Sequence, residues 1–430
     1  MLGPVYAVAV GAARLAAAVA PARDGKVWRS LGARKGIQER YTAWGAAHRA
    51  ADRPLLWMHA PSVGEGLQAR PVLDKLRAEH AGLQIAYTHF SPSAERFAHS
   101  LGADFVDYLP FDSVSDARAT LDALKPDALV YSKLDVWPVL TREASRRGVR
   151  VGLISATLAA RSGRRSRLAA LLLGDAYARL DAVGAIDQDD ATRLIALGVR
   201  EPVVEVTGDT RYDQVWERAQ RVDRAGTVLA PLASPRLTVV AGSTWPADEA
   251  VLFPAWRAVH RQFPTARLII APHEPSPAPL ASVERWAAAD RLSLARLADA
   301  GAATADVVLV DRVGVLGDLY ALAAAAFVGG GFHDAGLHSV LEPAAFGAPV
   351  AFGPRCERSR DAGLLARAGG GVSVPNATAL AGALIGWLGA EAPRRAAGAR
   401  ALAVVRGGLG AADRSARLVE RLLDRRPAQA

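Results

Sequence analysis

Beyond residue 54 the chain alternates short apolar runs with longer amphipathic segments. LLWMHA (55–60), LQIAYTHF (83–90), DALVYSKL (127–134), VRVGLIS (149–155), AVGAI (182–186) and VVEVTG (203–208) predict strands. Segments 64–79, 92–101, 114–124, 137–147 and 189–197 predict helices. The pattern breaks at 209–235, where LAPLASPR (229–236) reads as a linker, and then restarts. LTVVAGS (237–243), ARLIIAP (266–272), DVVLVD (306–311), AAFVGGG (325–331) and APVAFGP (348–354) predict a second set of strands. Residues 377–388 and 392–425 are helical in pattern, and the last helix is able to cross back to the first domain. Apolar strands alternating with helices imply parallel sheets covered on both faces. The fold class read from this is α/β, with two Rossmann-like, doubly wound domains facing across a cleft. Residues 41–215 and 216–405 form the domains, and 406–430 form a C-terminal helix.

The first 40 residues follow another pattern. LGPVYAVAVGAARLAAAVAPA (2–22) is apolar apart from Arg14. Its length approaches the roughly 20 residues that span a bilayer. The abundant alanine, and the cost of Arg14 at mid-membrane, keep an interfacial helix open as the alternative. A third reading is an Ala-rich helix packed on the following domain. Arg23, Lys26, Arg29, Arg34, Lys35 and Arg40 form a basic collar after it. Such a collar retains the following chain on the cytoplasmic side, or attracts anionic headgroups.

Composition narrows the class. The chain has 430 residues, 51% of them hydrophobic and 22% charged, with a net charge of +9. That suits two globular domains with a phosphate-rich or anionic partner. Cys356 is the only cysteine, so an intramolecular disulfide is excluded. No lysine follows Lys133, so arginine is the default basic residue and each one means little. CxxC, HExxH and Walker motifs are absent, and the histidine spacing suggests no metal.

Ligands of doubly wound sheets bind beyond the carboxyl ends of the strands. The polar residues there are His59 to Glu65, Ser91 to Ser93, Lys133 to Asp135, Gly208 to Arg211, Ser243 to Trp245, His273, and Gly329 to Glu342. In GGGFHDAGLHSVLEP the glycines precede a short helix expected to start near His338, with Ser339 as its N-cap. Free backbone N–H groups at such a turn suit a phosphate, and Glu342 one turn later suits vicinal ribose hydroxyls. A plain glycine-cornered connection with a solvated acid has the same spacing. Glu65, at the start of the helix after the first strand, reads either as a dipole partner or as a general base. Lys133 and Asp135 could form an ion pair at a strand end.

The segments RKGIQER (34–40), WMHAPSVGE (57–65), THFSPS (88–93), YLPFD (108–112), KLDVWP (133–138), VTGDTRYD (206–213), AGSTWPADE (241–249), LIIAPHEP (268–275) and GGGFHDAGLHSVLEPAAFGAPVAFGP (329–354) run along nearly the whole chain. In order and spacing it resembles the bacterial 3-deoxy-D-manno-octulosonic acid (Kdo) transferases. The resemblance implies the GT-B fold and transfer of Kdo from CMP-Kdo to a lipid A precursor, with inversion, at the cytoplasmic face of the inner membrane. It implies Glu65 as the catalytic carboxylate, with Asp135 where the family has a second glutamate. Glu342 falls on the ribose-binding glutamate, and Gly330, Gly331, His338 and Ser339 fall on the nucleotide loop. Arg211, Ser243, Thr244 and His273 complete the expected donor site, with Arg211 and His273 at the phosphate. Ser62, Ser91, Ser93 and Lys133 are the expected acceptor-side residues. No metal or cofactor is implied; the partners are the donor, the lipid acceptor and inner-membrane lipids. The chain departs from the family pattern at His273 for arginine, Ser339 for asparagine, Lys133 for a frequent glutamate, and residues 155–159.

Three other functions compete. A UDP-sugar glycosyltransferase or sugar-nucleotide epimerase shares the fold, because function resides in the site. A non-catalytic, membrane-bound sugar-nucleotide- or lipid-binding protein would have a decayed site, and the presence of both Glu65 and Glu342 argues against decay. Nucleic-acid binding rests on net charge alone and finds no basic stripe interleaved with aromatics.

Overall fold

The computed structural model describes residues 25–159, 162–165 and 167–424, together with Tyr6 and residues 10–12. It divides into two units. One comprises the chain up to Gln214 together with the chain from Leu409 onward; the other is Val215–Gly408.

The first unit is a seven-stranded parallel sheet in the order β3-β2-β1-β4-β5-β6-β7. Its strands are β1 Leu55–His59, β2 Gln84–His89, β3 Phe105–Tyr108, β4 Ala128–Ser132, β5 Arg150–Ala156, β6 Ala182–Ala185 and β7 Val204–Val206. All of β1 is buried, as expected of a central strand with both faces covered. Alternate side chains part to opposite faces. Leu55 and Trp57 join Tyr41, Leu129 and Tyr131 on one side. Leu56 and Met58 join Leu73, Leu76, Val130 and Ile154 on the other. The helix Ala411–Leu423 closes that second side with Leu418, Val419 and Leu422.

The expected helix over 392–425 is two helices, Glu391–Gly407 and Ala411–Leu423, parted at Gly410 with φ +83°. The second helix is capped from elsewhere in the chain. The buried Asp213 carboxylate accepts the Gly410 N–H at 2.8 Å and the Ala412 N–H at 2.9 Å. Asp213 closes the VTGDTRYD segment, so that motif carries a structural task.

The second unit repeats the plan in the order β10-β11-β9-β8-β12-β13-β14, all parallel. Its strands are β8 Thr238–Thr244, β9 Arg267–Pro272, β10 Leu294–Arg296, β11 Val307–Leu309, β12 Ala325–Val328, β13 Val350–Phe352 and β14 Gly371–Ser373. Trp256 and Phe327 fill one side of this sheet, Tyr320 and Ile269 the other. Strand order reverses beside β1 in the first sheet and beside β8 in the second. The pairs β1/β4 and β8/β12 therefore mark the two positions where such sheets bind ligands.

Most of the apolar segment 2–22 lies outside the described residues. Among the described residues no helix is long and apolar enough to cross a membrane. Tyr6 packs against the first core, and its hydroxyl donates to Asp112 at 2.7 Å. The basic collar is smaller than the sequence suggested. Arg34 is buried, donates to the Leu109 carbonyl at 2.9 Å and lies over the Phe90 ring. Arg40 grips Asp107 through Nε at 2.7 Å and Nη2 at 2.8 Å. Both guanidiniums satisfy groups of their own domain, because a buried carbonyl or carboxylate needs a donor.

Candidate active site

In the first unit, β1 ends at His59 and the helix Val63–Glu79 begins four residues later. Ser62 is its N-cap residue, with extended φ and ψ of −136° and 174°. Its hydroxyl bonds the Glu65 carboxylate rather than a backbone N–H. The other Glu65 oxygen receives the Lys133 ammonium at 3.1 Å. Lys133 directly follows β4, in a left-handed conformation with φ +70°. Ser132 ties the same turn together by donating to the Glu65 carbonyl at 3.1 Å. Three of the expected residues, Ser62, Glu65 and Lys133, are thus joined by the adjacency of β1 and β4. The Tyr87 phenol is buried without a hydrogen-bond partner among the described residues, and its ionisation is pushed up by burial and by Glu65. A side chain at Gly66 would meet that hydroxyl at 2.7 Å, so the position needs glycine.

Asp135 belongs to a second cluster and does not pair with Lys133. Its carboxylate lies 3.6 Å from His59 Nε2 and 3.3 Å from Arg164 Nη2. Burial works to raise its pKa, but His59 and Arg164 outweigh this and hold it below the usual carboxylate range. His59 is fully buried. It sits among Trp137, whose Nε1–H donates to His59 Nε2 at 3.2 Å, and Thr88. Ser91 and Ser93 bond each other at 2.8 Å on the loop after β2. Arg211 also lies in the first unit, and its Nε donates to Asp209 at 2.9 Å. It is therefore held by its own domain, while His273, expected with it at the donor phosphate, lies in the second unit.

In the second unit the glycine turn differs from the expected phosphate cradle. Gly329 N–H donates to the Gly242 carbonyl at 2.9 Å, and Gly330 N–H to Asp248 at 2.7 Å. Asp248 also accepts from the N–H of Trp245 at 2.9 Å and of Phe332 at 3.2 Å. The glycines are needed because backbones pass very close. A Cβ on Gly331 would lie 2.5 Å from Gly353 N. The following helix is Leu341–Ala345, preceded by Val340, so the exposed Ser339 is not its cap. Val340 already has helical φ and ψ, and its side chain is buried.

The strand ends here gather rings. Trp245, just after β8, stacks on His273 at 4.5 Å and on His333 at 4.7 Å. His273 stacks on His338 at 4.6 Å. Trp245 Nε1–H donates to His338 Nε2 at 3.1 Å. Ser243 sits at φ +54° where β8 shifts register, and the Thr244 hydroxyl donates to Glu249 at 3.0 Å. Glu342 is half-buried and has no hydrogen-bond or ion-pair partner among the described residues. Burial raises its pKa above the ordinary value; Arg218 works against this, while Asp318 adds to it. A carboxylate left in that state is prepared to accept hydroxyl donors. His59, Trp245 and His333 fell within the strand-end stretches singled out in the sequence but had no role of their own, and Trp137 fell just outside them.

In sequence and fold the chain is similar to several known proteins. Residues 35–214 match the family model described as 3-deoxy-D-manno-octulosonic-acid transferase (kdotransferase). A 3-deoxy-D-manno-octulosonic acid transferase of Bordetella pertussis is 32% identical over 372 residues, 82% of this chain and 84% of the relative. One from Haemophilus influenzae is 27% identical over 332 residues, covering 74% and 75%. Among solved structures, a putative UDP-N-acetylglucosamine 2-epimerase from Listeria monocytogenes aligns with TM-score 0.60 at 13% identity, covering 85% of this chain and 95% of that one. The Neisseria meningitidis UDP-GlcNAc 2-epimerase, bound to UDP-GlcNAc, gives 0.60 at 13%, covering 86% and 99%. At such identity these structures establish the two-domain α/β fold and nothing of the chemistry.

Proposed function

The chain belongs to the 3-deoxy-D-manno-octulosonic acid (Kdo) transferases, glycosyltransferases of lipopolysaccharide synthesis, and on that premise we propose how its residues divide the reaction. The donor is CMP-Kdo, taken by the second unit, and the acceptor is a hydroxyl of a lipid A precursor. Glu65 is the general base. The acceptor oxygen attacks the anomeric carbon, its proton passes to Glu65, and the bond to the CMP phosphate oxygen breaks. CMP leaves with that electron pair, and the configuration inverts.

The observation that carries this reading is the fixing of Glu65 at the end of β1. Ser62 and Lys133 each hold one carboxylate oxygen. A carboxylate has about four lone-pair sites, so both oxygens still have room for an incoming hydroxyl. Positioning of this kind is what general-base catalysis requires, with the carboxylate oxygen about 2.6–3.2 Å from the oxygen whose proton it takes. Glu342, without a hydrogen-bond or ion-pair partner among the described residues, takes the ribose hydroxyls. Exposed Val27 and Trp28 on helix Lys26–Gly32, and Phe90, support a membrane-facing surface beside Arg29. That surface suits an acceptor that stays in the cytoplasmic leaflet.

Mass spectrometry of products formed from CMP-Kdo and a lipid A precursor tests the reaction. The expected product is the precursor carrying Kdo. CMP, rather than UDP, should protect the protein from thermal unfolding, because a ligand that binds the native state stabilises it. Protection by UDP alone, with no Kdo-bearing product, would overturn the assignment of donor.

A further inference from the structure

Two tryptophan–histidine pairs stand at the ligand-binding ends of the two sheets. Trp137 Nε1 lies 3.2 Å from His59 Nε2, and Trp245 Nε1 lies 3.1 Å from His338 Nε2. An indole N–H can only donate. His338 Nε2 must therefore be the bare nitrogen, and its neutral imidazole carries the proton on Nδ1. His59 Nε2 also faces the Asp135 carboxylate at 3.6 Å, so the indole is not its only neighbour. The pairs differ in what the other ring nitrogen meets. His59 is fully buried, and its Nδ1 already lies 3.1 Å from the Thr88 carbonyl and 3.0 Å from the Thr88 hydroxyl. His338 is half-buried, and its Nδ1 has no partner among the described residues. Its backbone N–H donates to the Gly329 carbonyl at 3.1 Å, and its ring stacks on His273. Burial and the neighbouring His273 push the His338 pKa down to about 4, so the ring is neutral at physiological pH.

We propose that Trp245 is a positioning residue of the donor site: by occupying His338 Nε2 it holds the proton on Nδ1, and that N–H donates to an acceptor oxygen of the nucleotide bound on the second unit. The inference rests on the reading of that unit as the CMP-sugar site. A ring free to choose would offer a bare nitrogen part of the time and repel the same oxygen. Trp245 removes that alternative without adding charge. Its flat packing against His273 and His333 fixes the indole plane that makes the bond possible.

The test begins with the ligand-free parent protein. Ring nitrogen shifts of His338, from protein labelled with ¹⁵N-histidine, should show Nδ1 protonated and Nε2 bare. Trp245→Phe keeps a flat ring and removes only the N–H. It should yield a mixture of tautomers and weaken CMP binding about three- to tenfold, the loss of one neutral hydrogen bond. The KM for the donor should rise more than kcat falls. Trp137→Phe should leave CMP affinity unchanged. Two further variants separate the nitrogens. The amide nitrogen of His338→Asn sits where Nδ1 does, whereas His338→Gln places its amide near Nε2, so the Asn variant should bind CMP more tightly than the Gln variant. A parent His338 protonated on Nε2 overturns the proposal. So does a Trp245→Phe protein with parental CMP affinity, or a Gln variant that binds as well as the Asn variant. A parent protein that does not bind CMP at all would instead overturn the donor reading, and the tautomer measurement in the free protein would still decide the Trp245–His338 bond.

Discussion

Glu65 and Glu342 each stand in the first turn of a helix that follows a central strand, one in each unit, and their surroundings are opposite. Glu65 is engaged at both oxygens, by Ser62 and Lys133. Glu342 has no hydrogen bond or ion pair among the described residues, and burial raises its carboxyl above the ordinary value against the pull of Arg218. A base must be aimed before the substrate arrives, so the protein supplies its partners. A carboxylate that binds hydroxyls receives its partners from the ligand, so the protein withholds them. The difference separates a group for chemistry from a group for binding, although both are glutamates at helix starts.

The sharpest way to break this division is Glu65→Gln. The amide keeps the shape and cannot accept the proton. Turnover should fall by about a hundred- to ten-thousandfold, while CMP affinity stays parental. A folded variant with near-parental turnover sinks the base assignment. Glu342→Gln should show the reverse profile. Hydrogen bonds to a charged group contribute about 1.5–3 kcal/mol each, so CMP binding should weaken roughly ten- to a hundredfold. Calorimetry showing unchanged CMP affinity would remove Glu342 from the donor site.

Lys133→Met asks how much the clamp itself matters. The ammonium is half-exposed, so its ion pair is worth about 0.2–1 kcal/mol. The expected loss of turnover is accordingly about two- to fivefold. A loss as large as that of Glu65→Gln would show that Lys133 acts on substrate directly, and that the clamp is the wrong description.

The sequence revealed these residues singly and hid their pairings. Central strands such as β1 and β9 were legible because both faces are buried, leaving uninterrupted apolar runs. The strands β3, β10 and β14 were not: each is an edge strand of three or four residues, although β7, equally short and at an edge, was legible in VVEVTG. Glu65 and Lys133 are 68 positions apart, Asp248 and Gly330 are 82, and Trp245 and His338 are 93. Each pair meets because β1 lies beside β4 and β8 beside β12, an adjacency that local patterning does not encode. The Gly330 N–H shows the same limit. Gly330 looked like a free phosphate donor until the fold brought a buried aspartate to its N–H. In the same way, nothing in the local sequence of Arg34 and Arg40 distinguished a membrane collar from two guanidiniums that satisfy their own domain.

The smallest effect is also the most specific to the comparison, and it concerns stability. The Glu342 carboxyl is raised in the native state, so at pH values just above its ordinary range the folded protein keeps a proton that the unfolded chain has lost. Stability falls with pH wherever the native state binds more protons. The contribution of Glu342 is therefore complete below the ordinary carboxylate range, and is lost as pH rises through the raised native value. Above that window the ligand-free protein carries a half-buried charge that Arg218 offsets only in part. Glu342→Gln removes the charge, so the ligand-free variant should match the parent at about pH 4 and equal or exceed it at about pH 7.5. Asp213, Asp248 and Glu249 are also raised by burial, but they are present in both proteins and cancel in the difference. Glu65→Gln offers no such gain, because it loses partners that the parent had. It should be destabilised by at most about 1 kcal/mol at neutral pH, the scale of a part-exposed ion pair. Urea unfolding of the three proteins at both pH values decides the matter. A Glu342→Gln difference that does not change with pH would mean that the carboxylate has a partner in solution, and the contrast with Glu65 would fail.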